Sequence, residues 1–332
     1  MDRRKFIQYS AGTCLSLSTL RYRYAAGEKQ GIRTGYIADR IYLQHHLAPD
    51  HPESPLRLIA VEKAMQDSGL LPQLEHLPLL TDVEPYLYTI HTRQHVSSIR
   101  NNYPGFHQVA LAVVCGVLSA VDAVCQGHLR NAFCATRPPG HHANNTGKEE
   151  GFCFYNAIAI AARYAQQKYK LEKILIIDWD YHHGNATENA FYSDPGVLFF
   201  STHDYLAYPG TGNPDRKGEG AGLGYNINVH LDCGTTDTDI IHAFENVLVP
   251  AAKKFKPDMI LISAGFDSRM DDLLGCFNIT DAGFEELTRI SMLLAEEFCD
   301  GRIVSVLEGG YNLEGNASAI VHHVKTLSSF LA

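Results

Sequence analysis

Residues 173–185 read Lys-Ile-Leu-Ile-Ile-Asp-Trp-Asp-Tyr-His-His-Gly-Asn, an apolar run that turns abruptly into a polar cluster. A continuous run of isoleucine and leucine is typical of a strand covered on both faces in a parallel sheet. Further strands are predicted at 31–38, 132–136, 197–201, 224–229, 259–263 and 303–307. Helical patterns separate them, at 54–67, 109–126, 156–168, 236–255, 281–298 and 313–330. This alternation predicts an α/β fold of one domain, with three αβα layers and a doubly wound, mainly parallel sheet.

The composition is that of an ordinary globular protein, since 45% of the 332 residues are hydrophobic and the net charge is −9. No basic stripe follows residue 30, which argues against a nucleic-acid partner. No stretch beyond the N-terminus approaches the roughly 20 apolar residues of a membrane span, so none is predicted. The eight cysteines never form Cys-x-x-Cys, and their spacing indicates neither a disulfide framework nor a thiolate zinc site. Most of them are expected to be buried and reduced.

Residues 1–30 differ from the rest of the chain. Arg3 and Arg4 precede Phe6-Ile7 and a short apolar run at 9–20, which resembles a twin-arginine export signal. Such a signal would place the protein in the periplasm, and a disordered basic tail on a cytoplasmic protein is the alternative. The folded domain is expected to occupy residues 31–332.

Polar clusters follow four of the predicted strands, at 137–143, 178–185, 264–269 and 308–313. In sheets of this kind ligands bind beyond the carboxyl ends of the strands, so the clusters are expected to converge. Asp180 and His182 are two residues apart on a segment predicted to be extended, which would direct both side chains to one side. With Asp267 they make a three-ligand set that leaves a position open for water, as in catalytic zinc sites. Fe(II) and Mn(II) also suit these ligands.

Five motifs in this order resemble the histone deacetylase family, which has the arginase/deacetylase fold: Arg-Pro-Pro-Gly-His-His-Ala at 137–143, Gly-Phe-Cys-Phe-Tyr-Asn at 151–156, the cluster at 178–185, Ala-Gly-Phe-Asp at 264–267 and Glu-Gly-Gly-Tyr at 308–311. The Phe-Asp-Ser form at 266–268, together with Asn185, resembles the class II branch and its bacterial relatives, which include acetylpolyamine amidohydrolases. The resemblance implies that residues 31–332 form a deacetylase catalytic domain. Its substrate would be an acetylated lysine peptide or a small N-acetyl amine, whose acetamide it hydrolyses.

The resemblance also implies roles for single residues. The three ligands would bind zinc, which polarises the acetamide carbonyl and lowers the pKa of bound water, the nucleophile. His142 would serve as general base and then as general acid, with His141 as its electrostatic neighbour. Asp178 would orient His141, and Asn185 stands where the class I pattern has an aspartate, which should make His142 less basic. Tyr311 would donate a hydrogen bond to the developing oxyanion.

Four further positions match the substrate channel of the family. Gly151, Phe152 and Tyr208 match walls that grip the aliphatic stem of acetyl-lysine, with Tyr208 replacing the usual phenylalanine. Leu274 lies near the position where polyamine-selective relatives can carry a glutamate gatekeeper. A leucine there weakens a polyamine assignment, although the aspartates at 271–272 could supply charge nearby.

Two structural potassium sites are implied by the same resemblance. One would use Asp178, Asp180, His182, Ser201 and Thr202. The other would use Phe191, Asp194, Val197 and Tyr225, mostly through backbone carbonyls.

Three alternatives remain open at this point. The first is an acetylpolyamine amidohydrolase, which shares the chemistry but not the substrate. The second is a ureohydrolase of the arginase type, which needs a bridged pair of manganese ions and more aspartates than this triad supplies. The third is a non-catalytic binder of acetylated partners. The sequence predicts no particular oligomeric state.

Overall fold

One parallel sheet organises residues 34–329, the part of the chain that the computed structural model describes. Within this range the sheet has eight strands: β1 (Gly35–Ile37), β2 (Glu75–His76), β3 (Asn131–Cys134), β4 (Ile174–Asp178), β5 (Val197–His203), β6 (Asn226–His230), β7 (Met259–Ala264) and β8 (Ile303–Leu307). Their order is β2-β1-β3-β8-β7-β4-β5-β6, and every pair is parallel. The predicted fold class is confirmed. The export-type segment predicted at 1–30 lies outside the described residues.

Ten α-helices connect and cover the strands in the described part of the chain: α1 (Leu56–Asp67), α2 (Glu84–Leu87), α3 (Arg93–Asn102), α4 (Pro104–Cys125), α5 (Ala157–Tyr169), α6 (Asn185–Phe191), α7 (Asp237–Ala243), α8 (Val249–Phe255), α9 (Asp281–Phe298) and α10 (Leu313–Ser329). Helices α4 and α5 pack together on one face of the sheet, and α1, α9 and α10 pack together on the other. The three-layer prediction is therefore confirmed.

The predicted helix at 236–255 is interrupted. A π-helical turn at Phe244–Leu248 separates α7 from α8, and Phe244 and Leu248 are both buried there. A π turn adds a residue to the helical repeat, so the two halves can each keep an apolar face on the sheet. Three short helices (α2, α3 and α6) and the two-residue β2 were not predicted, because segments this short or polar have little periodicity.

Helix α4 corrects an expectation about membrane spans. It has 22 residues and is long and apolar enough to cross a membrane by length and composition, although no such stretch was predicted. In the structure, 72% of its most apolar window is buried, against β1, β3, β8 and α5. A helix that is covered on most sides by its own protein needs the same apolar composition as a membrane span. Burial in the core therefore explains the composition of α4.

Cys233 and Cys276 form a disulfide between two loops at the carboxyl side of the sheet. The spacing did not predict this pair, because its members are 43 residues apart and come together only in the tertiary structure. The expectation of reduced cysteines holds for the other described cysteines, which are free thiols.

The side chain of Glu188 on α6 is buried and joins this helix to β6. It accepts hydrogen bonds from Asn226 Nδ2 at 2.7 Å and Asn228 Nδ2 at 2.6 Å, and it pairs with Arg216. Burial opposes its ionisation, but contacts with His183, Asn228 and Arg216 outweigh it and lower the pKa of Glu188 to about 2. An ionised carboxylate therefore stabilises the region that leads from the site at 182–185 into the sheet.

We predict that Glu188→Gln lowers the free energy of unfolding by about 1–3 kcal/mol at neutral pH, because it weakens charge-assisted hydrogen bonds to a buried group. The stabilisation by Glu188 is fully present above the ordinary glutamate pKa and is lost as pH falls from about 4.5 toward about 2. Urea unfolding at pH 7, 5 and 3 measures this. Glu172→Gln, at an exposed residue, is the control. Equal losses in both variants would contradict the prediction.

Candidate active site

The four polar clusters converge because their strands are neighbours in the sheet. Strands β3, β8, β7 and β4 lie side by side, although they are far apart along the chain. The register pairs Asp178 with Ser263, and Ser263 with Val306, so β4, β7 and β8 end at the same level. The loops after these ends therefore share one edge of the sheet, as expected for a ligand site.

Asp180, His182 and Asp267 meet at this edge. Their ligand-type atoms all lie within 4.8 Å of one another. His182 Nδ1 is 3.0 Å from Asp267 Oδ2 and 3.2 Å from Asp180 Oδ1. Both carboxylates are fully buried, and the imidazole is mostly buried. Within residues 34–329 this is the one group of three or more such side chains found close enough to hold a metal ion.

The reason predicted for the approach of Asp180 and His182 is wrong. Strand β4 ends at Asp178, and the next residues form a bend rather than extended backbone. The Asp180 carboxylate accepts a hydrogen bond from the backbone N–H of His182 at 2.9 Å, which closes the turn. The two side chains thus meet through a local side-chain to backbone hydrogen bond, a type of turn that aspartate favours.

Backbone N–H groups hold the outer oxygens of both carboxylates. Gly309 N donates to Asp180 Oδ2 at 2.8 Å, and Tyr181 N donates to Asp267 Oδ1 at 2.9 Å. Glycine is required where the loops approach. A Cβ at Gly309 would stand 2.1 Å from Asp267 Oδ2, and one at Gly265 would stand 2.0 Å from Asp180 Oδ2. The site therefore depends on backbone that carries no side chain.

The electrostatics of this group suit a cation. Burial and the neighbouring Asp180 raise the pKa of Asp267 above its usual value. Burial also acts on His182, but hydrogen bonds and charge from Asp180 and Asp267 raise its pKa to about 10. Two carboxylates and one imidazole, buried within ligand distance of each other, are a donor set that fits Zn²⁺, Fe²⁺ or Mn²⁺.

The two histidines of the first cluster are each fixed by a side chain from the second. His141 Nδ1 donates to Asp178 Oδ2 at 3.0 Å, and His142 Nδ1 is 2.8 Å from Asn185 Oδ1. Because an amide oxygen only accepts, His142 must donate through Nδ1, which leaves Nε2 as an acceptor. Burial and the charge of His141 lower the pKa of His142 well below its usual range. The imidazole of His142 is therefore neutral in this environment.

Tyr311 is nearly fully buried behind two glycines. Gly310 has φ +119°, a conformation that L side chains rarely adopt, and it turns the chain there. Asp272 Oδ2 accepts from the backbone N–H of Tyr311 at 2.7 Å and of Asn312 at 3.1 Å. Burial raises the pKa of Tyr311 well above its usual value, so its phenol stays protonated and can donate.

Sequence reasoning missed a set of buried charges that support Tyr311. Arg57 donates through Nε to the carbonyl of Gly310 at 2.6 Å, and its guanidinium lies 4.9 Å from the centre of the Tyr311 ring. Glu53 joins Arg57 to Arg137, with Arg137 Nη2 at 2.7 Å from Glu53 Oε2. All three charged side chains are fully buried. The signal in the sequence that could have identified these residues is the presence of opposite charges beside prolines, as at Glu53 and Arg137. The sequence by itself does not show that these charges are buried.

A cavity of about 450 Å³ opens beside the candidate metal group, and His182 is the member of that group that lines it. All four predicted channel residues line it: Gly151, Phe152, Tyr208 and Leu274. His142, His182 and Tyr311 line it as well, so the structure joins the channel to the proposed catalytic groups. Gly151 is needed because a Cβ there would stand 2.5 Å from the ring of His142. Glu149, Tyr181 and Ala207 complete the lining and were not predicted.

The residues proposed for the two potassium sites lie in or beside β4, β5, β6 and the end of α6. Asp178, Asp180, Ser201 and Thr202 are fully buried at neighbouring ends of β4 and β5, and Thr202 Oγ1 has no hydrogen-bond partner among the described residues. At the second position, backbone hydrogen bonds join Asp194 N to the carbonyl of Phe191 and Val197 N to that of Asp194. The Tyr225 carbonyl accepts from Phe199 N on the adjacent strand.

Comparisons with known proteins agree with this geometry. Residues 51–327 match the histone deacetylase domain model. The chain is 37% identical to a probable deacetylase of Archaeoglobus fulgidus, over 85% of this chain and 82% of that one. It is 34% identical to histone deacetylase clr3 of Schizosaccharomyces pombe and 36% identical to histone deacetylase 15 of Arabidopsis thaliana, of which it spans 45% and 53%. The crystal structure of the HDA15 HD domain superposes with a TM-score of 0.82 at 32% identity, covering 89% of this chain and 88% of that one.

We predict that Gly309→Ala weakens zinc binding by about 10–100-fold, the scale for disturbing the groups that orient metal ligands. The added methyl would displace Asp267 Oδ2 and Asp180 Oδ2 from their present positions. Competition with a chromophoric chelator measures the affinity. Gly105→Ala, where a Cβ meets nothing within 4 Å, is the control. A folded Gly309→Ala protein with unchanged zinc affinity would show that these carboxylates do not hold the ion.

Proposed function

Because the chain belongs to the histone deacetylase family, we propose that it is a zinc-dependent deacetylase that hydrolyses the acetamide of acetyl-lysine or a related N-acetyl amine. The observation that carries the proposal is the joining of three elements in one cavity. His182 of the three-ligand group lines this cavity, and so do His142 of the histidine pair and the buried Tyr311. Acetamide hydrolysis needs a Lewis acid, a proton carrier and an oxyanion donor, and these side chains supply the three functions.

Asp180, His182 and Asp267 would hold the metal ion. Zinc bound there would polarise the acetamide carbonyl and lower the pKa of a water molecule. Fe²⁺ and Mn²⁺ suit the same donors, and metal analysis of the purified protein, followed by reconstitution of the stripped protein with each ion, distinguishes them. The remaining chemistry belongs to the side chains of the chain itself.

His142 would carry the proton. Its Nδ1 is held by Asn185, which leaves Nε2 to take a proton from the attacking water and deliver it to the leaving amine. Its lowered pKa keeps it neutral before attack, as a base must be. His141, with a raised pKa and paired with Asp178, is a fixed positive neighbour whose charge favours proton release from His142 to the amine.

Tyr311 would stabilise the charge that develops on the acetamide oxygen. Its phenol is protonated at any working pH, and Arg57 and Asp272 hold it in place before substrate arrives. A donor that does not reorganise during the reaction stabilises the transition state more than the ground state. The apolar stem of the substrate would lie among Phe152, Tyr208 and Leu274.

Potassium binding at the two predicted positions is part of the proposal. The first position is supported by Asp178 and Ser201, which are register partners on β4 and β5, so both buried side chains leave on the same face of the sheet. Carbonyl oxygens that already accept one hydrogen bond retain a second lone pair for a cation, which supports the position at Phe191, Asp194, Val197 and Tyr225.

Two alternatives receive less support. A ureohydrolase requires a second metal ion, and the described residues contain one three-residue group suited to a single ion. A non-catalytic binder would not need His142, Tyr311 and His182 in one cavity, with Asp180 and Asp267 grouped around His182. An acetylpolyamine amidohydrolase shares the proposed chemistry, and a panel of acetyl-lysine peptides and acetylspermidine assayed with the zinc-loaded protein separates the two.

We also propose export to the periplasm through the twin-arginine-type segment at 1–30, with the cytoplasm as the alternative. The Cys233–Cys276 disulfide supports export, because disulfides persist in oxidising compartments and are rare in the cytosol. Cell fractionation with an antibody against the folded domain tests it.

We predict that Tyr311→Phe lowers kcat by about 10²–10³-fold, the scale for removal of one oxyanion donor. His142→Ala should lower it at least as much, because it removes the proton carrier. Steady-state kinetics on an acetyl-lysine peptide, with circular dichroism to check folding, measure both. Tyr164→Phe is the control, because it removes a buried phenol of α5 that donates to Asp122 of α4 and does not line the cavity. If both site variants deacetylate normally, the mechanism is wrong.

A second prediction concerns the partner of His142. Asn185→Asp places a carboxylate 2.8 Å from Nδ1 and should raise the pKa of His142 by about one unit or more. Activity that requires neutral His142 would then appear at higher pH, so the acid limb of the kcat/KM profile moves upward. Asn189→Asp, which adds the same charge at an exposed position of α6, should leave the limb in place. Identical profiles for the two variants would exclude His142 as the base.

A further inference from the structure

The cavity beside the candidate metal group contains one carboxylate outside the metal-binding triad. Glu149 is half-buried and lines this cavity together with Phe152, Tyr208 and Leu274. Its Oε1 accepts a hydrogen bond from the backbone N–H of Phe152. Its Oε2 has no hydrogen-bond or salt-bridge partner within residues 34–329. One oxygen therefore fixes the side chain at the wall, and the other remains available to a ligand.

The other acidic side chains near the cavity are already used. Asp272 accepts four backbone hydrogen bonds, from residues 274 and 275 through Oδ1 and from 311 and 312 through Oδ2. Glu150 Oε2 accepts from Asn144 N at 3.1 Å and Thr146 Oγ1 at 3.0 Å, inside its own loop. Asp271 is exposed and does not line the cavity. Among the described residues, Glu149 is therefore the carboxylate that both lines the cavity and has an oxygen without a protein partner.

Apart from His142 and His182, the rest of the lining is apolar or aromatic, and it includes no lysine or arginine among the described residues. Aromatic and aliphatic walls suit a polymethylene chain, and they lower the local dielectric around Glu149, which strengthens its attraction for a cation. An acetyl-lysine within a peptide would bring neutral backbone amides to the mouth of such a cavity. Free acetyl-lysine would bring an α-ammonium group, which Glu149 attracts, together with an α-carboxylate, which Glu149 repels.

We propose that Glu149 is a specificity-determining residue that binds a second, protonated amino group of the substrate. The inference rests on the proposed deacetylase function and narrows its substrate class to small N-acetyl amines with a distal ammonium group, such as monoacetylated diamines and polyamines. Leucine at 274 removes charge from one part of the wall, and Glu149 supplies it from another. The charge on the wall thus comes from the loop between His142 and Gly151.

Glu149 also has a structural contact, and the experiment must distinguish the loss of this contact from the loss of the negative charge. Gly151 and Phe152 have φ of +53° and +69°, and the carboxylate of Glu149 holds this turn through Phe152 N. Glu149→Gln removes the charge but keeps an amide oxygen that can accept the same hydrogen bond. Asp271→Asn is the control, because it removes one carboxylate from a different loop, outside the cavity lining. Its left-handed φ of +62° is one that asparagine tolerates.

The experiment compares pairs of substrates with the zinc-loaded full chain. Each pair is an N-acetyl-α,ω-diamine with three to six methylenes and the N-alkylacetamide of equal length that lacks the ammonium group. The wild type should prefer the diamine, and Glu149→Gln should reduce the ratio of the two kcat/KM values by about 10-fold, mainly through KM. Asp271→Asn should leave the ratio within about twofold, and the wild-type preference should fall as salt screens the charge.

Two outcomes overturn the inference. A ratio that is equal in wild type and Glu149→Gln, with hydrolysis intact, rejects the role of Glu149 and leaves the deacetylase function standing. If the wild type hydrolyses no acetamide, the proposed function fails, and calorimetric binding then decides about Glu149. If the wild type binds the diamine more tightly than the alkylacetamide, and Glu149→Gln loses this preference, the cation site is still supported. If the wild type binds the two compounds equally, the cation site is rejected.

Discussion

Two buried carboxylates that approach one imidazole are the constraint on which the rest of this structure depends. Asp180 and Asp267 repel each other, and burial deprives both of water. The fold compensates with backbone N–H groups from Gly309 and Tyr181, and with a donor geometry that suits a divalent cation. These contacts require loop backbone so close to the carboxylates that residues 265 and 309 must lack a side chain. The glycine turns, and hence the position of Tyr311, follow from that requirement.

The sheet and its loops have different roles in the candidate site. The parallel strands bring four chain segments to one edge, and buried pairs such as Glu53 with Arg57 and Arg137 hold the loops there. The strand ends supply the groups that every acetamide hydrolysis would need. The loops around the cavity contribute Glu149, Tyr208 and Leu274, which would touch parts of a substrate remote from the reacting bond. Substrate preference can therefore differ between relatives with the same chemistry, because loops change with little effect on the sheet.

Elements with a strong local hydrophobic pattern were predicted more accurately than elements without one. Strand β8 and helix α9 were predicted to the residue, because each is a long apolar or amphipathic segment between clear boundaries. Strand β2 and helices α2, α3 and α6 were missed, since short elements take their stability from tertiary contacts. The structure brings the three candidate ligands together, yet the extended geometry predicted for 180–182 was wrong. An aspartate that accepts from the backbone two residues later forms a turn, and the sequence does not distinguish that turn from a strand.

By itself, the sequence determined the α/β class, the parallel sheet, the four polar clusters at strand ends and the residues that carry the family resemblance, because hydrophobic pattern and motif spacing are local properties. Only the tertiary structure decided which side chains share the cavity. Three features depend on contacts between residues far apart along the chain. They are the disulfide between Cys233 and Cys276, the buried hydrogen bond from Arg57 to the carbonyl of Gly310, and the position of the free oxygen of Glu149 in the cavity. The physical reason is that burial and the choice of hydrogen-bond partner are set by the packing of the whole domain, which no local stretch of sequence contains.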